Sequence, residues 1–67
     1  MKKTMESACE ELLSECPASR AVVRALVTLR SLDGHPDLES AKGEIQLAAL
    51  HVESAVWALV DALQGDK

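Results

Sequence analysis

The residues of this chain best suited to chemistry are two cysteines, two histidines and a short run of arginines. Cys9 and Cys16 stand seven positions apart. On one helix that is roughly 10 Å at ~1.5 Å per residue, beyond the reach of a disulfide within the chain. A zinc site needs close cysteine pairs with a matching second pair, and none follows. Both cysteines read as small apolar core residues. His35 sits among turn-forming residues, and His51 is flanked by Glu44, Glu53 and Ser54. Nucleophilic catalysis needs a base in reach and a third, orienting group, and neither histidine belongs to such a motif. Gly34, Gly43 and Gly65 are scattered and build no phosphate-cradling loop. These spacings predict no enzyme, no metal and no cofactor. Arg20, Arg24 and Arg30 could meet phosphates, but no aromatic residues are interleaved with them. Their natural counterparts are Glu6, Glu10, Glu11 and Glu15 just before them, or an acidic partner protein.

The elements that must position these groups belong to one domain, residues 1–67. A chain of this size buries only about 60% of its unfolded surface, so its stability is marginal without a partner chain. Eleven acids against seven bases favour solubility and argue against nucleic acid as the main partner. Met1-Lys2-Lys3 is a charged start, but Thr4 to Cys16 is acidic and amphipathic rather than a signal core. Two cysteines without such a core predict a reducing cytosol, hence a cytoplasmic protein. The longest apolar run, Ala55 to Val60, predicts no membrane span. With no Tyr or Phe and Trp57 as the sole aromatic, the core must be aliphatic.

Three helical segments follow from periodicity, at about 4–16, 18–32 and 37–63. In the first, Met5, Ala8, Cys9, Leu12 and Cys16 recur at helical spacing, with Thr4 placed to cap. Pro17 then shifts the phase of the apolar stripe and predicts a kink or break. Ala18, Val22, Ala25, Leu29 and Leu32 continue it, opposite Arg20, Arg24, Thr28 and Ser31. Asp33-Gly34-His35-Pro36-Asp37 is the clearest turn, with Gly34 suited to a left-handed position. In the third segment Leu38, Ala41, Ile45, Ala48, Val52, Ala55, Leu59 and Ala62 alternate in steps of three and four. Such heptads, alanine at one seam position and larger aliphatics at the other, predict a tight core or dimer seam. Asp66 and Lys67 fall beyond the helix as a frayed end.

The arms on either side of the turn are nearly equal. They predict an all-α helical hairpin, its first arm kinked or broken at Pro17, dimerising into a four-helix bundle. The alternative is a compact three-helix bundle in which the first segment folds back. Leu47, Leu50 and Trp57 lie off the seam, on the far side from Ile45, Ala48 and Val52. One neighbouring helix covers one stripe, not two, so these residues are candidates for partner binding, as are Arg20 and Arg24 on the arginine face of the second segment.

The expected function is a small regulator that binds a larger protein and inhibits or modulates it, as anti-activators, inhibitors and adaptors do. In length, turn placement and alanine-rich seam, the chain also resembles the Rop-like plasmid copy-number regulators, dimers of helical hairpins that bind RNA. That resemblance implies a homodimer with an RNA- or DNA-binding face, and it carries over no individual residue. A third expectation is a small structural subunit of a larger assembly.

Overall fold

The computed structural model describes residues 3–65. Met1–Lys2 and Asp66–Lys67, where the sequence suggests a charged start and a frayed end, lie outside the described residues. The chain is all-helical, with three α-helices among the described residues: α1 (Met5–Glu15), α2 (Arg20–Leu32) and α3 (Lys42–Gly65). Two 3-10 segments, Pro17–Ser19 and Pro36–Ala41, join them.

Thr4 caps α1 as its position suggests. Its backbone is extended, and its hydroxyl oxygen accepts the Ser7 amide at 3.1 Å. Pro17 cannot donate to the helix before it, so α1 closes with the Cys16 amide donating to the Leu12 carbonyl at 2.7 Å. The Cys16 backbone then leaves the helical region, and the chain reverses. Ser19 holds this corner. Its amide and its hydroxyl both donate to the Cys16 carbonyl, at 2.9 and 2.7 Å, and its side chain is buried. The second helix therefore starts at Arg20, not at Ala18.

Of the two outcomes expected at Pro17, a kink or a break, the structure has the break: the first arm is two separate helices. Met5 and Cys9 on α1 line one groove with Val23, Leu26, Val27 and Arg30 on α2, so the two run antiparallel. At the other end of α1, the Glu11 carboxylate accepts from the Gln64 amide at 3.0 Å, so α1 runs alongside α3 in the same direction. This corrects the two-armed hairpin in favour of the folded-back alternative.

Between α2 and α3, Gly34 takes φ +88°, a left-handed conformation that suits glycine. The His35 imidazole Nδ1 accepts the Asp37 amide at 3.3 Å and caps the segment that follows. Leu38 departs from helical geometry, so the heptads begin in a 3-10 segment rather than in α3 proper. Gly43 lies in open space on the first turn of α3, with no backbone approaching it.

The core is Ala8 and Leu12 from α1, Val23 and Leu26 from α2, and Val56 and Val60 from α3. Ile45 is buried nearer the turn. Met5, Cys9, Leu13, Cys16, Val22 and Val52 pack around the cluster. Of the heptad seam, Leu38, Ala41, Ala48 and Val52 are half-buried and Ile45 is buried, but Ala55, Leu59 and Ala62 are exposed. Towards its C-terminus α3 buries Val56 and Val60 instead, because α1 lies against that edge.

Candidate protein-binding surface

The covered stripe of α3 runs through buried Ile45, Val56 and Val60 with half-buried Val52 between them, and large apolar residues outside it face solvent. Leu47 is 56% exposed, Leu50 60% and Trp57 39%. Leu50 and Trp57 are seven residues apart, two turns along one face, about 10 Å at 1.5 Å per residue. Leu47 lies at the edge of the same stripe. α1, packed against Val56 and Val60, leaves Leu47 and Leu50 more than half exposed and Trp57 less so. Arg20 and Arg24 are also exposed, but on the face of α2 opposite Val22 and Leu26. The candidate contact set therefore divides. Leu47, Leu50 and Trp57 form one surface, and the two arginines lie on the outer side of another helix.

The structure adds a groove that the periodicity did not show. Because α1 stops near Arg30, the stretch of α2 and α3 nearest the turn has no third helix over it. There Leu29, Arg30, Asp33, Ile45, Gln46, Ala49, Leu50 and Glu53 line an open depression of about 350 Å³. Leu50 belongs to both the groove and the exposed stripe. The groove wall is held by an ion pair, with the Arg30 guanidinium donating to the Glu53 carboxylate at 2.5 Å. Val27, 61% exposed on α2, is a further apolar surface residue. It sits one position after buried Leu26, where a stripe count places only the helix edge.

The charges settle differently from the sequence expectation. Among the described residues the ion pairs are Lys3–Glu11 and Arg30–Glu53, so neither joins α1 to α2. Hydrogen bonds from Lys3 and Gln64 hold the Glu11 carboxyl below its ordinary pKa. Burial raises the Cys9 thiol, an effect that nearby Arg30 opposes. A raised thiol has less of the thiolate that nucleophilic or metal chemistry uses. Cys9 and Cys16 are free and half-buried. Among the described residues no three His, Cys, Asp or Glu side chains gather where they could hold a metal. His35 is engaged in capping, and His51 is exposed on α3.

By length and composition alone the stretch Pro36–Gly65 could cross a membrane, its most apolar 18-residue window having a mean hydropathy of 1.2. Its apolarity is spread over Ile, Val, Leu and Ala side chains on both the buried and the exposed faces. Glu53, near its middle, carries the ion pair to Arg30. No protein-family model matches the chain, and no curated protein and no solved structure matches it significantly.

Proposed function

We propose that this protein is a small, non-catalytic regulator that binds a larger protein through the outer face of α3. One observation carries the reading: Leu50 and Trp57 stand exposed on one stripe, with an open apolar groove beside Leu50. Large exposed apolar residues gathered in a patch mark contact sites, and Trp is the type most enriched where binding energy concentrates. The groove is sized for one or two apolar side chains from a partner helix, and the Arg30–Glu53 pair at its wall offers polar contacts at the rim. A protein partner suits this face better than a bilayer. Glu53 and Asp61 on α3 would each be costly in hydrocarbon, about 2.5–3.5 kcal/mol for Asp at the centre of a span. It also suits the face better than RNA, because Arg20 and Arg24 lie on the outer side of α2, away from the face of α3 that carries Trp57.

The same reading includes a homodimer. The α2–α3 pair of each copy would supply four central helices, and α1 would flank them. Cytoplasmic residence, with cysteines reduced, fits both partners.

Affinity capture from the native host, followed by mass spectrometry, tests the target-binding reading. A protein retained by the wild type, lost with Leu50→Ala and Trp57→Ala, and kept by Arg24→Glu supports the α3 face. Its titration should shift the emission of Trp57, the sole aromatic. Capture unchanged by both α3 variants overturns the assignment. Salt-sensitive retention of RNA, lost with Arg20→Glu and Arg24→Glu, would replace it with a nucleic-acid function.

A further inference from the structure

Leu50 and Trp57, the apolar anchors of the outer face of α3, stand between two carboxylates. Asp33 lines the groove beside Leu50. Asp61, also exposed, follows Trp57 by four residues and Leu50 by eleven, which keeps it on the same stripe, about 16 Å from Leu50. Both acids sit where their own helices disfavour them. Asp33 is the C-cap of α2, and Asp61 lies one turn before the end of α3, so each adds negative charge to the negative pole of a helix. The fold does not relieve either. Arg30, the base in the last turn of α2, is committed to Glu53, and the last turn of α3 has no base. Lys3 pairs with Glu11, and Lys42 opens α3. Among the described residues neither lysine is within ion-pairing distance of Asp33 or Asp61.

We infer that the occupant of this face is a basic amphipathic helix of the target, its apolar side chains on Leu50 and Trp57 and its Lys or Arg residues beyond them at both ends. The inference rests on the target-binding reading above and names the chemistry of the target. Charge complementarity carries it. A base that meets Asp33 or Asp61 relieves a carboxylate and a helix pole together, whereas an acidic segment or a nucleic-acid phosphate is repelled at both ends. Length agrees with it. Four turns of helix span about 22 Å, enough to lay apolar residues over both anchors and still place a base past each. Arg20 and Arg24, which would repel such a helix, lie on the outer side of α2, away from this face. The chain's own basic helix is a poor occupant, since α2 exposes Val27 as its one large apolar side chain.

Two synthetic peptides of about four helical turns, free of aromatic residues, test the inference. Both carry leucine at the same helical spacing, and the remaining positions are lysine in one and glutamate in the other. Binding to the full chain is read from the emission of Trp57, the sole aromatic. The leucine–lysine peptide should bind with a blue shift, about tenfold or more tighter than the leucine–glutamate peptide. Asp33→Lys and Asp61→Lys should keep wild-type helicity by circular dichroism and each weaken that binding about threefold or more. Glu10→Lys, an equal change of charge in the groove between α1 and α2, should leave it within about twofold. Equal binding of the two peptides, tighter binding of the glutamate one, or no binding overturns the inference. So does an equal loss with Glu10→Lys, or a Trp57 emission that shifts on dilution alone, which would seat a second copy on this face. If one aspartate variant fails to fold, the other decides. A host protein that needs Leu50 and Trp57 but ignores both aspartate variants sinks this inference and leaves the target-binding reading standing. One that ignores Leu50 and Trp57 as well sinks both.

Discussion

The two sides of α3 are built from similar residues and have opposite fates. One side presents Ile45, Val52, Val56 and Val60 to the rest of the chain, with Val56 fully buried and Val60 3% exposed. The other presents Leu47, Leu50 and Trp57, larger side chains left between 39% and 60% exposed. Size and hydrophobicity do not decide which side is inside, since the outer residues are at least as large as the buried ones. The corner at Cys16–Ser19 decides it, by aiming α1 at the Val56–Val60 edge. What remains uncovered is what one short helix cannot reach.

The sharpest way to break this comparison is to cut equally into both sides. Leu12→Ala or Leu26→Ala removes a side chain only 1% exposed and should cost about 2–5 kcal/mol, read by urea or thermal unfolding. In a chain of this size that is enough to populate the unfolded state at room temperature. Leu50→Ala, an equal truncation on the outer side, should change stability by no more than about 0.5 kcal/mol. Similar losses at Leu12 and Leu50 would mean that the outer side is covered in solution.

The helices and their turn were legible in the sequence because each has a local cause. Thr4 caps, Pro17 interrupts, Gly34 takes a positive φ, and apolar residues recur at helical spacing. The partition of α3 was not. Strict heptads drift by about 20° each against a straight helix, so over the α-helical part, Ile45 to Ala62, the stripe turns by about 50°. The buried positions follow the helix period to Val56 and Val60, while Ala55, Leu59 and Ala62 rotate out. Arm length misled in the same way, because counting residues cannot show that Pro17 begins a reversal. The exposed residues Leu47, Leu50 and Trp57 were legible as off-seam positions. The groove beside Leu50 was not, since it exists only because α1 ends short of the turn.

A smaller effect probes the corner that creates the asymmetry. Ser19→Ala removes the buried hydroxyl that donates to the Cys16 carbonyl. It should cost about 1 kcal/mol, since the Ser19 amide still satisfies the same carbonyl. Thr4→Ala should cost a similar ~1 kcal/mol through loss of the cap on α1. The two variants should add, because they lie at opposite ends of α1 and share no partner. Thermal melts of the two single variants and the double variant check this, and strong non-additivity would show that α1 docks as one unit with its corner.

The smallest expected effect is a titration on the covered side. Glu11 faces Lys3, which precedes α1, and Gln64, in the last turn of α3, and both donate to its carboxylate. These bonds favour the charged form, so its pKa is lower folded than unfolded. The sign follows from linkage. The contribution is fully present above the unfolded glutamate range, near pH ~4.3, and fades as pH falls through the depressed folded value. Glu11→Gln should therefore melt below the wild type at neutral pH, and the gap should close in acid. The charge ties α1 to the C-terminal turn of α3, so the variant should also speed amide exchange in α1 more than in α2 at neutral pH. A gap independent of pH would show that Glu11 holds α1 by shape rather than by its charge, and the covered side would then rest on packing alone.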